Sequence, residues 1–145
     1  MANNQNRSNQ SKARKILISG AGIAGLALAR RFDSMGISYT LIEKKDSNNQ
    51  STAGITLPFN AIQALKLLHL DQSVLACAHQ VNEIIYCKPS GNILAKASLL
   101  EPPLNQAPFI ALERAQLHQI LRQDLRASLK IGRFWYNHRT HKIRT

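Results

Sequence analysis

The sequence predicts an α/β fold in which two parallel strands are joined by a helix, with a small antiparallel hairpin further along the chain. Three observations support this prediction. A short apolar run leads into a glycine-rich loop, the loop opens an amphipathic helical segment, and a segment rich in β-forming residues follows that helix. With 145 residues, the chain has room for one domain with its own core. We therefore predict a Rossmann-like βαβ dinucleotide-binding fold with a small antiparallel hairpin insertion.

The first three elements form the βαβ unit. Ile16–Ile18 is short and wholly apolar, as a buried parallel strand is. Ile23–Met35 is predicted to be a helix because it has one apolar face and a basic end, which suits the negative end of the helix dipole. Gly36 is the expected residue just after its last turn. Ser38–Glu43 is rich in β-forming residues and predicts the second strand.

The remaining elements are predicted from caps, turns and periodicity. Asn60 and Asp71 are the expected N-caps of two helices. The turn Pro89-Ser90-Gly91-Asn92 separates the two strands of the hairpin. In chain order, the other predicted segments are a loop at Lys44–Thr52, helices at Ala61–His69 and from Asp71 to His79, strands at Glu83–Lys88 and Ile93–Ala97, a loop at Glu101–Pro108 and a long helix at Glu113–Leu129.

The formal net charge of +11 is concentrated at the two ends of the chain. Residues 1–14 are rich in Asn, Gln and Ser and predict a disordered polar tail. Residues 15–129 are the predicted domain. Residues 130–145 contain five basic residues, no acid and three consecutive aromatics; we interpret them as a tail that is either disordered or read in a shifted frame from about residue 132. Because the middle of the chain is close to neutral, we expect no specific nucleic-acid partner.

No apolar run approaches the roughly 20 residues that a transmembrane helix needs, and the polar start argues against a secretory signal, so we expect a cytoplasmic protein. Cys77 and Cys87 lack metal-ligand spacing and are expected to be reduced thiols. His138 and His141 are three residues apart but have no third ligand nearby, so no metal site is predicted. The other histidines are expected to be partly exposed helix residues: His69, His79 and His118.

The motif that carries chemistry is the loop Gly20-Ala21-Gly22-Ile23-Ala24-Gly25. In this pattern the first glycine allows a tight turn, the second lets a pyrophosphate approach the backbone, and the third lets helix and strand pack closely. The helix N-terminus then offers N–H groups to the phosphates. Glu43 ends the second strand 23 residues after Gly20, near the expected place of the acid that binds a ribose 2′-hydroxyl. The motif predicts a site for the ADP half of NAD or FAD, and its acid disfavours NADP.

The later segments favour FAD. The ordered set that carries a family resemblance is Gly20–Leu26, Glu43-Lys44, Gly54–Ala61, Leu65, Pro89-Ser90-Gly91 and Arg114–Leu121. With this set, residues 15–129 resemble the N-terminal part of FAD-dependent aromatic-ring monooxygenases, the para-hydroxybenzoate hydroxylase-like family. The resemblance implies FAD as cofactor, NAD(P)H as reductant, and hydroxylation of a small, often aromatic, organic substrate with O2.

The resemblance also implies roles for individual residues. Glu43, which Lys44 follows, would hold the adenosine ribose. Arg114 would reach the phosphate and ribityl region of FAD, because a guanidinium can fork onto phosphate oxygens; the alternative is a solvated residue paired with Glu113. Gly54 would lie near the flavin; the alternative is an ordinary loop glycine. No residue is assigned a catalytic role.

The chain departs from the family in what it lacks. It contains neither the later Asp-Gly nor the Gly-Asp dipeptide of that family, and no segment corresponds to the family's substrate-domain sheet. We therefore expect a truncated FAD/NAD(P)-binding domain. Two other interpretations stay open: an NAD-dependent Rossmann oxidoreductase, against which the hairpin argues, and a non-catalytic truncated remnant.

Overall fold

The computed structural model of the chain describes residues 16–44, 53–106, 108–126, 129–132, 135–137 and 142–144. A mixed α/β fold is confirmed. The helices are α1 (Ile23–Ser34), α2 (Phe59–Leu67), α3 (Asp71–Leu75) and α4 (Arg114–Arg122). The strands are β1 (Ile16–Ser19), β2 (Tyr39–Glu43), β3 (Gly54–Leu57), β4 (His79–Gln80), β5 (Glu83–Cys87), β6 (Ile93–Ser98), β7 (Ile110–Glu113), β8 (Leu129–Ile131), β9 (Trp135–Asn137) and β10 (Lys142–Arg144).

A three-stranded parallel sheet holds the N-terminal part of the chain. β2 lies in the middle, with β1 on one side and β8 on the other, and both pairs are parallel. α1 connects β1 to β2 and packs its apolar face on the sheet: Leu26 and Ala29 are fully buried, as is Leu41 of β2. The predicted strand, helix and strand of this unit are confirmed.

The end of α1 confirms the role expected for Gly36. This glycine has φ +67°, the left-handed conformation that is typical of the residue after a helix C-cap. Its N–H donates to the Asp33 carbonyl at 3.2 Å, and the Ile37 N–H donates to the Phe32 carbonyl at 2.9 Å. These two bonds form a Schellman motif, which satisfies the last carbonyls of α1 and turns the chain into β2.

A second sheet is antiparallel and was not predicted. β7 pairs with β3 on one side and with β4 on the other. β3 and β7 have only four residues each. β3 begins just after the loop that was predicted to end at Thr52, and β7 ends at Glu113, the predicted start of the long helix. Glu113 was expected to begin the long helix; it is instead the last residue of β7 and the N-cap of α4.

The predicted long helix Glu113–Leu129 is wrong at its C-terminal end, because α4 stops at Arg122. An arginine of α1 binds this end of α4. The Arg30 side chain donates to the carbonyls of Ile120 and Leu121, at 3.0 Å each, and to that of Gln123. These are carbonyls of the last turn, which have no partner within a helix. The guanidinium therefore caps α4, and Leu129, which was placed in the helix, lies in β8.

The helices α2 and α3 also differ from the prediction at their ends. Pro58, not Asn60, is the N-cap of α2, and Asp71 is the first residue of α3 rather than its cap. His69 follows α2 with φ +57°, in a Schellman turn in which the Leu70 N–H donates to the Leu65 carbonyl at 3.0 Å. α3 ends at Leu75, so the segment through His79 is not helical.

The predicted hairpin is confirmed. β5 and β6 pair in antiparallel register from Glu83↔Ser98 to Cys87↔Ile93, with an irregularity beside Tyr86. In the C-terminal segment, β9 and β10 form a second antiparallel pair. Other predictions fall outside the described residues: the tail 1–14, the loop from residue 45 to 52, His138 and His141.

Candidate cofactor-binding site

The glycine loop joins β1 to α1 at the carboxyl end of the parallel sheet. Gly20 has φ +101°, which only glycine adopts readily, so the tight turn expected at this position is present. Its N–H donates to the Ile42 carbonyl at 2.8 Å and ties the loop to the end of β2. Ala21 is buried, whereas Gly22 is exposed and is the N-cap of α1.

Gly25 and Gly22 are glycines for different physical reasons. A Cβ on Gly25 would overlap the carbonyl oxygen of Gly20, so the packing of the loop against the first turn of α1 excludes any side chain there. A Cβ on Gly22 would meet no atom of the chain within 4 Å. The fold therefore has room for a side chain at position 22. The open space beside the Gly22 backbone suits a ligand that approaches closely.

The first turn of α1 presents N–H groups that can bind an anion. α1 has 12 residues, its N-cap makes no side-chain hydrogen bond, and its first turn has no acidic residue. The first N–H groups of a helix have no partner within the helix, and they carry its positive dipole end. Ile23 and Ala24 lie in this turn. The geometry is that of a phosphate site at a helix N-terminus.

Glu43 lies at the carboxyl end of β2, beside the loop. Its Oε2 accepts a hydrogen bond from the Ala21 N–H at 2.7 Å. Its backbone carbonyl accepts from the Gly132 N–H at 2.8 Å, which ties the end of β2 to the end of β8. The structure thus brings the predicted acid to the glycine loop. Lys44 follows it and is exposed.

His118 contacts the glycine loop, which the sequence did not predict. It was expected to be partly exposed, but it is only 6% exposed, between the buried Leu117 and Leu121 of α4. Its Nε2 lies 2.7 Å from the carbonyl oxygen of Ala21. The helical phase was the available signal, because His118 is one residue after Leu117 and three before Leu121, on the buried side of α4.

Arg114 is the first residue of α4. Its N–H donates to the Ala53 carbonyl at 3.0 Å, and α4 opens with a capping box in which the Glu113 and Gln116 side chains bind each other's backbone N–H groups. Four residues separate Arg114 from His118, one helical turn or about 6 Å along the axis, so both lie on the same side of α4. Arg114 is therefore one turn away from the residue that contacts the loop.

Gly54 is brought close to Arg114, because it pairs with Glu113 across β3 and β7. The Arg114 side chain is partly buried, and the structure gives its guanidinium no hydrogen bond or ion pair with any described residue. The alternative partner considered for it, Glu113, uses its carboxylate in the capping box. Within the described residues, the guanidinium is therefore available to bind a ligand.

The other predicted candidates are placed away from the loop. His79 lies in β4 and pairs with Ala111. Cys77 and Cys87 are free thiols, the first partly buried and the second exposed. Among the described residues, no cluster of three or more His, Cys, Asp or Glu side chains could hold a metal ion. None of the helices in the described ranges is both long and apolar enough to cross a membrane.

Comparison with known proteins identifies relatives of this chain. No family model matches the chain. It is 35% identical over 119 residues to the 2-heptyl-3-hydroxy-4(1H)-quinolone synthase of Pseudomonas aeruginosa, a match that covers 81% of this chain and 31% of that protein. It is 34% identical over 83 residues to the putative FAD-dependent monooxygenase YetM of Bacillus subtilis, a match that covers 57% of this chain and 22% of that protein.

A solved structure of 2-methyl-3-hydroxypyridine-5-carboxylic acid oxygenase, in its tetrameric form, shares the fold. It superposes with a TM-score of 0.72 at 22% identity, over 91% of this chain and 37% of that one. The present chain spans less than a third of the length of the two relatives named above.

Proposed function

We propose that this chain, which belongs to the FAD-dependent monooxygenase family, binds the ADP half of FAD at the loop between β1 and α1. The observation that carries the proposal is the pairing of an open helix N-terminus with a glycine whose Cβ position is empty. Gly22 makes room for a diphosphate, and the first turn of α1 supplies the N–H donors.

The fold of the N-terminal part supports the same proposal. β1, α1 and β2, with β8 as a further parallel strand beside β2, give the strand order of one half of a Rossmann-like sheet. In such sheets, ligands bind outside the carboxyl ends of the strands. The glycine loop follows β1 there, and Glu43 ends β2 at the same edge.

Each site residue has a proposed role in this arrangement. Gly20 makes the turn, Gly25 lets α1 pack against the loop, and the N–H groups of Gly22, Ile23 and Ala24 face the diphosphate. The Glu43 carboxylate, with Lys44 beside it, holds the adenosine ribose and disfavours a 2′-phosphate. Arg114 approaches the diphosphate and ribityl chain from the start of α4, and Gly54 lies next to Arg114, on the flavin side.

FAD supplies redox chemistry that the side chains of a protein lack, with which an enzyme can use O2 to oxidise an organic substrate. The relatives' names support a monooxygenase reaction on a small, often aromatic, organic substrate. The family resemblance adds NAD(P)H as the proposed reductant. We propose this activity for a full-length protein of this kind. For the present chain we propose cofactor recognition, since it spans less than a third of the relatives' length.

The choice of cofactor is tested by purifying the chain and measuring its absorption spectrum and its melting temperature with added FAD, ADP, NAD or NADP. A ligand at 100 times its Kd stabilises the native state by about 2.7 kcal/mol, which raises the melting temperature measurably. We expect a flavin absorption band, or a rise in melting temperature with FAD and ADP.

The other outcomes point elsewhere. A colourless protein that is stabilised by NAD and not by FAD would replace the proposal with an NAD-dependent oxidoreductase, because the loop and Glu43 suit either dinucleotide. A folded protein that is indifferent to FAD, ADP and NAD would indicate a non-catalytic remnant. Stabilisation by NADP would contradict the role of Glu43.

A further inference from the structure

We infer that His118 is a positioning residue of the glycine loop, which aims the Gly22 N–H at the bound diphosphate by holding the carbonyl of Ala21. The inference rests on the proposed binding of the ADP half of FAD. It adds a specific residue of α4 to the site, far along the chain from the loop that binds the phosphates.

The contact itself is short and buried. The His118 Nε2 lies 2.7 Å from the Ala21 carbonyl oxygen, and the two residues are 97 positions apart in the sequence. A carbonyl oxygen can only accept a hydrogen bond, so Nε2 carries the proton and donates it. His118 is 6% exposed, and a buried polar side chain of this kind is costly unless its hydrogen bond is made. The bond is therefore a strong constraint on the loop.

The geometry of the peptide bond transmits this constraint to Gly22. The bond between Ala21 and Gly22 is trans, and in a trans peptide the C=O and the N–H point in opposite directions. Because the Ala21 carbonyl points towards α4, the Gly22 N–H points away from α4. The structure gives that N–H no hydrogen-bond partner among the described residues, and the space beside Gly22 is open.

The preceding peptide is fixed in the same way from the other side. The Ala21 N–H donates to Glu43 Oε2 at 2.7 Å. The carbonyl of the same peptide, that of Gly20, faces α1 at the position that a Cβ on Gly25 would overlap. Side chains from β2 and α4 thus fix two consecutive peptide units, and the orientation of the Gly22 N–H does not depend on the loop alone.

α4 is held firmly enough to serve as the support. Leu117 and Leu121, on either side of His118, are 2% and 1% exposed. Arg30 binds the last carbonyls of α4 and joins this helix to α1. The imidazole is therefore carried by a helix that packs directly on the helix whose N-terminus binds the phosphates.

The test compares His118→Gln with His118→Asn and His118→Leu in the full chain. A glutamine amide nitrogen can reach close to the position of Nε2, whereas the asparagine amide is one bond shorter and the leucine has no donor. Leu117→Ala is the matched control, since it opens a cavity in the same turn of α4 and leaves the His118 bond in place. The measurements are the Kd of ADP by titration calorimetry and the amide chemical shift of Gly22 with and without ADP.

We expect His118→Asn and His118→Leu to weaken ADP binding about tenfold, the scale of one lost hydrogen bond. They should also shift the Gly22 amide signal in the absence of ligand. His118→Gln should stay within about threefold of the unmodified chain, and Leu117→Ala should lower stability without changing the Kd measured below its melting temperature. If His118→Leu fails to fold, the Gln and Asn variants decide.

Three results would overturn the inference, and failure of the proposed function is distinguishable from failure of the positioning role. If the unmodified chain binds neither ADP nor FAD, the proposed function fails and this inference fails with it. If the unmodified chain binds ADP and His118→Asn binds it equally well, only the positioning role of His118 is wrong. Equal losses in His118→Gln and His118→Asn would likewise reduce His118 to a packing residue.

Discussion

Replacing Gly22 with serine separates the folding of the loop from its binding of phosphate. Gly22 is the N-cap of α1, with φ −74° and ψ −179°, the extended backbone that serine adopts at N-caps. The added Cβ meets no atom within 4 Å. A serine hydroxyl there can accept a hydrogen bond from the N–H of Ala24 or Gly25. We therefore expect the free energy of unfolding of Gly22→Ser to be unchanged or higher by a few tenths of a kcal/mol.

The same hydroxyl should weaken ligand binding, because the N–H that it binds is one of the proposed phosphate donors. It occupies the space proposed for the diphosphate, and it satisfies one N–H that is proposed to donate to a phosphate oxygen. A hydrogen bond to a charged group is worth about 1.5–3 kcal/mol. Because each 1.4 kcal/mol is a factor of ten in affinity, we expect the Kd of ADP to rise by about ten- to 150-fold.

Two measurements on the Gly22→Ser protein check this prediction: urea denaturation for the free energy of unfolding, and titration calorimetry for ADP binding. Gly54→Ala is the control, since its added Cβ also meets nothing within 4 Å. Gly54 is proposed to lie on the flavin side of the cofactor, which ADP lacks. A fully folded Gly22→Ser protein that binds ADP as tightly as the unmodified chain would refute the placement of the phosphates at α1.

Three further substitutions test other parts of the arrangement. Gly25→Ala should destabilise the fold by about 3 kcal/mol or more, because its Cβ overlaps a backbone carbonyl; urea denaturation that shows it as stable as Gly54→Ala would contradict the packing described. Glu43→Ala should weaken ADP binding by about 1–3 kcal/mol in calorimetry, and Glu43→Gln should recover part of the loss, since its amide oxygen still accepts from the loop N–H; unchanged affinity in Glu43→Ala would remove Glu43 from the site. Arg30→Ala should lower the free energy of unfolding by about 1.5–3 kcal/mol, because the α4 cap is lost. Arg30→Lys should lower it by less, because an ammonium keeps the charge but not the forked geometry of the guanidinium. Equal stability of the unmodified chain and the two variants in urea would exclude the cap.

The parts of the structure that were predicted correctly depend on interactions between residues close in sequence. The turn at Gly20, the helix stop marked by Gly36 and the hairpin around Gly91 each carry their signal within a few residues, because a left-handed glycine or a short turn determines the local backbone. The acid at Glu43 was found for a similar reason, since a strand–helix–strand unit has a nearly constant length.

The parts that were missed depend on partners that are distant in sequence. β3 and β7 are short, and each becomes a strand because it pairs with the other more than 50 residues away. The C-terminal end of α4 is capped by Arg30, which lies some 90 residues before it. His118 is buried because its partner is the Ala21 carbonyl. The helical phase of α4 indicates that His118 is buried, but no local pattern identifies any of these distant partners.

Arg30 of α1 binds the C-terminal end of α4, and His118 in the middle of α4 binds the loop that starts α1, so the two helices are connected at two places. The loop therefore opens only if α4 also moves, and the two helices should unfold locally as one cooperative unit. Hydrogen-bonded amide protons of α1, beginning with that of Leu26, and those of α4 should then exchange with solvent at a common rate. A ligand at the loop should slow the exchange of amides in α4 that it never touches.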